Sequence, residues 1–155
     1  YFKISPSTQG YFFAIPGIGF LLGNYLTGRF TIRFGTKKMM IWGCFIALIG
    51  PLMQFCTLNL FNLGALGLFG PMFFVGLGQG LTLPNAAAGI VSVNPKLAGT
   101  ASGLGSTIQI SIGGLLAFLT GYFLSISNSP LQLVIIFFVC LVLSLIFTFF
   151  IRIDD

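Results

Sequence analysis

The sequence predicts an all-α polytopic membrane protein with five transmembrane helices, and three observations carry that prediction. No Lys, Arg, Asp or Glu lies between Met39 and Pro95, or again between Leu97 and Ile151. Each of these uncharged stretches is more than twice the roughly 20 residues that a helix needs to cross a bilayer core of about 30 Å. The composition agrees, with 56% hydrophobic and 6% charged residues and a mean hydropathy of +1.05, where an average soluble domain carries about 25% charge. A charge at the bilayer centre costs roughly 2.5–3.5 kcal/mol on insertion scales, so a chain that threads a membrane several times must confine its charges to the bends.

The spans follow in order. The first, about 10–28, precedes a basic cluster of Arg29, Arg33, Lys37 and Lys38. The first uncharged stretch is divided by the polar run Thr57 to Asn62 and the second by Ser125 to Pro130, the residue types that break helices. This gives spans at about 39–57, 63–91, 99–125 and 130–151, together one partial transmembrane domain over 1–155. The basic cluster, Lys96 and Arg152 fall on one side of this layout and the turns at 58–62 and 126–129 on the other. Positive residues mark cytoplasmic loops, so the first side is cytoplasmic, the chain starts outside and its C-terminus is cytoplasmic. Lys3 is a lone exception. An odd number of spans beginning outside, a first residue Tyr1 and no signal peptide lead us to expect further helices in front of this chain.

The same composition excludes several functions. The chain has no His, and Asp154 and Asp155 are its only acids, so acid–base catalysis and carboxylate or imidazole metal sites have almost nothing to work with. Neither an enzyme, a metal site nor a cofactor is expected. Cys44, Cys56 and Cys140 lie in apolar runs without CxxC spacing and read as small packing residues. The net charge of +5 is accounted for by cytoplasmic bends facing the lipid bilayer, not by nucleic acid.

Glycine and proline set these helices apart from simple anchors. Pro16, Gly17, Gly19 and Gly23 fall in the first span, Pro51 in the second, Pro71 and Pro84 in the third. The spacings Gly19-x3-Gly23, Gly99-x3-Gly103 and Gly113-x3-Ala117-x3-Gly121 permit close helix–helix approach, and proline kinks a membrane helix while freeing a carbonyl. The fifth span lacks glycine and reads as lipid-facing, and the second, with Trp42, has the same peripheral character. Gln54 is expected near the exterior interface.

The segment Gly28-Arg29-Phe30-Thr31-Ile32-Arg33-Phe34-Gly35-Thr36-Lys37-Lys38 reads as a tight cytoplasmic turn with Gly35 free to take positive φ, and with cations placed to cap helix C-termini and face anionic lipid. It resembles the cytoplasmic loop motif G-x-L-x-D-R-x-G-R-K of the major facilitator superfamily, with Gly28, Arg33, Gly35 and Lys37 in matching places. Ile32 replaces the motif's acid and Thr36 a basic residue, which is more similar to the copy between helices 8 and 9 than to that between helices 2 and 3. Leu81-Thr82-Leu83-Pro84-Asn85-Ala86, then Lys96 to Gly103 (KLAGTASG), then Gln109 resemble helices 10 and 11 of the Bcr/CflA-type drug-resistance transporters.

The resemblance implies helices 8 to 12 of a C-terminal six-helix half, with helix 7 and the N-terminal half absent from this chain. It implies a multidrug efflux transporter of the inner membrane, exchanging small amphipathic drugs for protons by alternating access. No span carries a carboxylate, so a proton-coupling residue is expected in the missing N-terminal half, which would be this chain's partner. Asn85 and Gln109 lie on spans that resemble pocket-lining helices; each either contacts substrate or bonds a neighbouring helix. Gln79 and Asn24 are further cavity candidates, and Phe12, Phe13, Phe73 and Phe74 could line a site for aromatic or cationic drugs. An importer of sugars or other metabolites and a non-transporting scaffold are the alternatives.

Overall fold

The computed structural model of the protein describes residues 6–61, 64–93, 95–127 and 130–151. Six α-helices account for nearly all of them: α1 (Pro6–Phe34), α2 (Thr36–Cys56), α3 (Gly64–Phe69), α4 (Met72–Ser92), α5 (Ala98–Ser127) and α6 (Pro130–Phe150). A π-helical turn, Thr57–Phe61, follows α2, and a short 3₁₀ turn, Pro95–Leu97, precedes α5. The fold is all-α. Four helical segments, Thr36–Asn59, Gly64–Ser92, Pro95–Ser125 and Leu131–Phe150, are long and apolar enough to cross a membrane.

At 29 residues, α1 is about 43 Å long, enough to span, but it is less apolar than the other four. Its face of Gly19, Gly23, Thr27 and Thr31 is turned toward α4 instead of lipid. Nothing in Arg29–Phe34 breaks a helix, and Arg33 suits a last turn, where the carbonyl ends favour cations. The basic cluster is therefore largely helical, and the bend itself contracts to Gly35 at φ 84°, a conformation that favours glycine. The span expected over 63–91 is divided between α3 and α4 at Gly70 and Pro71, because proline has no N–H for the preceding turn.

The fourth helix is the centre of the bundle, packed along α1 on one side and α2 on the other. On the first side, Gly19 and Gly23 of α1 interlock with Gly76 and Gly80 of α4. A Cβ on Gly76 would run into the backbone of Pro16, and one on Gly80 would lie 2.9 Å from Asn24 N and Gly23 Cα. On the second side, a Cβ on Gly78 would meet Gly43 O and lie 2.7 Å from Ala47 N. Small residues at these positions let backbones touch. Next, α6 packs on the far side of α2, where Cys44 Sγ lies 3.7 Å from Thr148 Oγ1 and 3.8 Å from Ser144 Oγ.

This arrangement corrects the peripheral reading of the second span. Met39, Met40, Gly43, Cys44, Ala47, Gly50, Pro51 and Gln54 are buried, since α2 has α4 on one face and α6 on another. Gln54, two residues before the end of α2, is 0% exposed.

Two prolines explain part of the polar bonding. Pro84 cannot donate to Gly80 O, four residues before it, and Thr27 Oγ1 of α1 donates to that carbonyl at 3.0 Å. Pro71 likewise frees Gly67 O, and the nearest donor is Thr57 Oγ1 at 2.7 Å. Gln54 Nε2 donates to the next carbonyl, Leu68 O, at 2.7 Å. In lipid no water replaces a lost backbone partner, so side chains of neighbouring helices take that role.

At the opposite end from that π-turn, Lys37 Nζ donates to Phe149 O at 3.2 Å, a cation on the C-terminal carbonyls of α6. The α1–α2 bend and the C-terminal end of α6 therefore lie at the same end of the bundle.

Candidate functional site

Between α1, α4, α5 and α6 the helices leave a cleft of about 850 Å³, within the roughly 300–1,000 Å³ range of small-molecule sites. Pro16, Gly17 and Phe20 line it from α1; Met72, Val75, Gly76 and Gln79 from α4; Gly113, Leu116, Ala117 and Thr120 from α5; Ile136, Phe137, Cys140 and Leu141 from α6. The walls carry no charge. Thr120 Oγ1 is satisfied by Leu116 O at 2.7 Å. The Gln79 amide makes no hydrogen bond with any described residue, which leaves a donor and an acceptor facing an otherwise apolar space.

The cavity candidates separate accordingly. Gln79 lines the cleft, whereas Asn85 is 1% exposed and bonded within the bundle. Its Nδ2 donates to Leu81 O at 2.7 Å, and its Oδ1 accepts from Thr31 Oγ1 of α1 at 3.1 Å. Of the two roles open to Asn85, the structure shows the interhelical bond. Gln109 is exposed on α5 and does not line the cleft. Phe13, 59% exposed, meets Phe69 edge-on at 5.9 Å, and Phe12 stacks on Phe69 at 5.1 Å; both therefore pack on α3, outside the cleft.

The packing glycines separate in the same way. Gly19 and Gly23 touch α4 backbone. Around Gly99, Gly103, Gly113 and Gly121 nothing among the described residues comes within 4 Å of an added Cβ, and almost every residue of α5 is exposed. The packing expected of these four finds no partner among the described residues, and Gly113 borders the cleft.

In the basic segment, Gly28 and Lys38 are exposed, and the Arg33 guanidinium lies over the Phe34 ring at 5.6 Å. Gly35 makes the bend and Lys37 caps α6. No cluster of His, Cys, Asp or Glu able to hold a metal occurs among the described residues.

Sequence reasoning missed Phe20, Thr120 and the α6 wall. The α6 contribution was present as a stripe, Ile136, Phe137, Cys140 and Leu141, at helical spacing within a span uniformly apolar enough to hide it.

Long apolar helices, interlocked glycines and polar groups consumed in helix–helix bonds define a polytopic α-helical membrane protein around an uncharged cleft. A family model described as Major Facilitator Superfamily matches residues 1–155. The chain belongs to that superfamily, and it is a multi-pass membrane chain of a transporter family. No curated protein and no solved structure matches it.

Proposed function

We propose that this chain forms helices 8 to 12 of a multidrug efflux transporter similar to the Bcr/CflA group, and that the cleft receives part of its cargo. The observation that carries the reading is the cleft itself: about 850 Å³, uncharged, apolar on four helices, with the single unbonded amide of Gln79. Such a lining suits a small amphipathic molecule with one uncharged polar group. A sugar needs several hydrogen bonds, and buried hydroxyls left without them cost roughly 1–3 kcal/mol each; this favours efflux of drug-like compounds over sugar import. Proton coupling in an inner-membrane protein is part of the proposal, with the titrating carboxylate placed on the N-terminal half.

The experiment is dye efflux from cells carrying the full-length protein, together with labelling of Cys140. Gln79→Leu is expected to lower efflux of amphipathic dyes about tenfold, one lost hydrogen bond of about 1.4 kcal/mol, with membrane expression unchanged. In a Cys56→Ser background, a lipophilic maleimide is expected to modify Cys140, and excess cargo to slow that modification. Cys140 inert with and without cargo means that another part of the protein fills the cleft, and the cargo assignment fails. Sugar uptake in place of dye efflux overturns the export reading.

A further inference from the structure

A second, smaller groove lies between α1 and α2, just beneath the basic bend. It measures about 290 Å³ and is lined by Leu26, Phe30 and Phe34 of α1, Met39 and Trp42 of α2, and Leu81 of α4. That volume sits at the lower edge of the range for whole small-molecule ligands, and the lining is apolar throughout. A segment of hydrocarbon chain fits it better than a compact polar solute does.

The residues next to these wall positions in sequence include cations. On α1 the positions Tyr25, Arg29 and Arg33 follow one another at i+4 spacing, directly beside the lining positions Leu26, Phe30 and Phe34. Arg29 Nη1 donates to Tyr25 OH at 3.2 Å. Arg33 makes no such bond with a described residue; its guanidinium sits over the ring of Phe34, which is part of the groove wall. Lys38 is exposed, precedes the wall residue Met39 and has no hydrogen-bond partner among the described residues. No carboxylate occurs among the described residues, so no described residue pairs with either charge. Trp42 is 64% exposed two turns into α2, a depth at which tryptophan settles between headgroups and acyl chains.

We propose that this groove is a binding site for one anionic phospholipid, with the phosphate between Arg33 and Lys38 and an acyl chain against Phe30, Phe34, Met39 and Trp42. Charge complementarity selects the occupant: two cations with no carboxylate partner among the described residues call for an anion, and the apolar wall below them calls for a chain attached to it. Each cation at a membrane surface favours anionic lipid about fivefold. The proposal stands apart from what the protein transports.

Trp42 is the one tryptophan in this chain and lies on the groove wall, so it reports occupancy directly. The full-length protein in lipid nanodiscs is titrated with phosphatidylglycerol or phosphatidylcholine brominated on the acyl chains, and the Trp42→Phe variant supplies the blank for other tryptophans. Quenching of Trp42 is expected at about tenfold lower mole fraction of the anionic lipid. The Arg33→Gln, Lys38→Gln pair removes that preference, the charge-conserving Arg33→Lys, Lys38→Arg pair keeps it, and Lys96→Gln, away from the groove, leaves it unchanged. Equal quenching by both lipids overturns the proposal, as does a preference that survives the double Gln substitution. Displacement of the brominated anionic lipid by millimolar inorganic phosphate identifies a free-phosphate site instead, and the lipid assignment fails.

Discussion

The α1–α2–α4 core and α5 are built from the same materials and use them in opposite ways. Both carry glycines at i, i+4 spacing and polar side chains inside apolar runs. In the core, Gly19, Gly23, Gly76 and Gly80 bring two backbones into contact, and Thr27, Thr31 and Asn85 bond across the same seam. On α5, Gly99, Gly103, Gly113 and Gly121 face open space, and Thr107 and Thr120 return their hydroxyls to their own helix, to Gly103 O at 2.9 Å and Leu116 O at 2.7 Å. A glycine spacing thus records that close approach is allowed; what stands opposite decides whether it happens. The core has the bonds of a unit that holds its shape, and α5, touching α4 and α6 only sparsely, presents a free surface.

The largest expected effect separates the two regions most sharply. Gly76→Leu drives a side chain into the backbone of Pro16 and should cost about 3 kcal/mol or more, the upper end of overpacking penalties. A Cβ at Gly113 meets nothing within 4 Å among the described residues, and Gly113→Leu should leave stability within about 0.5 kcal/mol. Denaturant titration of the full-length protein in detergent measures both, and equal losses would erase the distinction. In the same protein Gly113→Leu puts a side chain into the cleft that Gly113 borders and should abolish efflux while insertion persists; retained dye efflux would count against the cleft as the cargo's path.

Asn85→Ala comes next. It removes the bond to Thr31 in a fully buried position and should cost about 1–2 kcal/mol, whereas Gln109→Ala on α5 should cost almost nothing. Thr27→Val strands Gly80 O and should cost about 1 kcal/mol, with Thr107→Val, bonded only within α5, lower; the reverse order would count against bonding across the seam as the core's stabiliser. The smallest effect is expected at Gln54. Its Nε2 is bonded but its Oε1, fully buried, has no partner among the described residues. A bond contributing about 1 kcal/mol is offset by an orphaned acceptor costing about 1–3 kcal/mol, so Gln54→Leu should be neutral or slightly stabilising in the same titration.

The helical membrane architecture was legible because the cost of burying charge leaves a pattern visible without any tertiary information. The distribution of Arg29 through Lys38 and the empty stretches that follow are enough. Gly35 was legible for a similar reason, since a bend between two long helices leaves few residue types able to take it. The site was less so. Asn85 and Gln79 are amides six residues apart on one helix, and only the position of α1 decides that Asn85 is bonded by Thr31 while Gln79 faces the cleft. The stripe Gly19, Gly23, Thr27, Thr31 was present in the sequence as a four-residue repeat of small and hydroxyl side chains, and it marks the α4-facing side of α1. The burial of Gln54 was not legible, because a polar residue near the end of an apolar span gives no sign that α3 folds over it.

Pro84 has a consequence that reaches beyond its own helix. Substituting alanine there restores an amide hydrogen, which claims the Gly80 oxygen for the fourth helix and leaves the Thr27 hydroxyl to compete for it. The helix gains internal regularity and the pair loses a crosslink. A residue known for weakening helices serves here to join two of them, and a fully bonded α4 should come at the expense of a looser bundle.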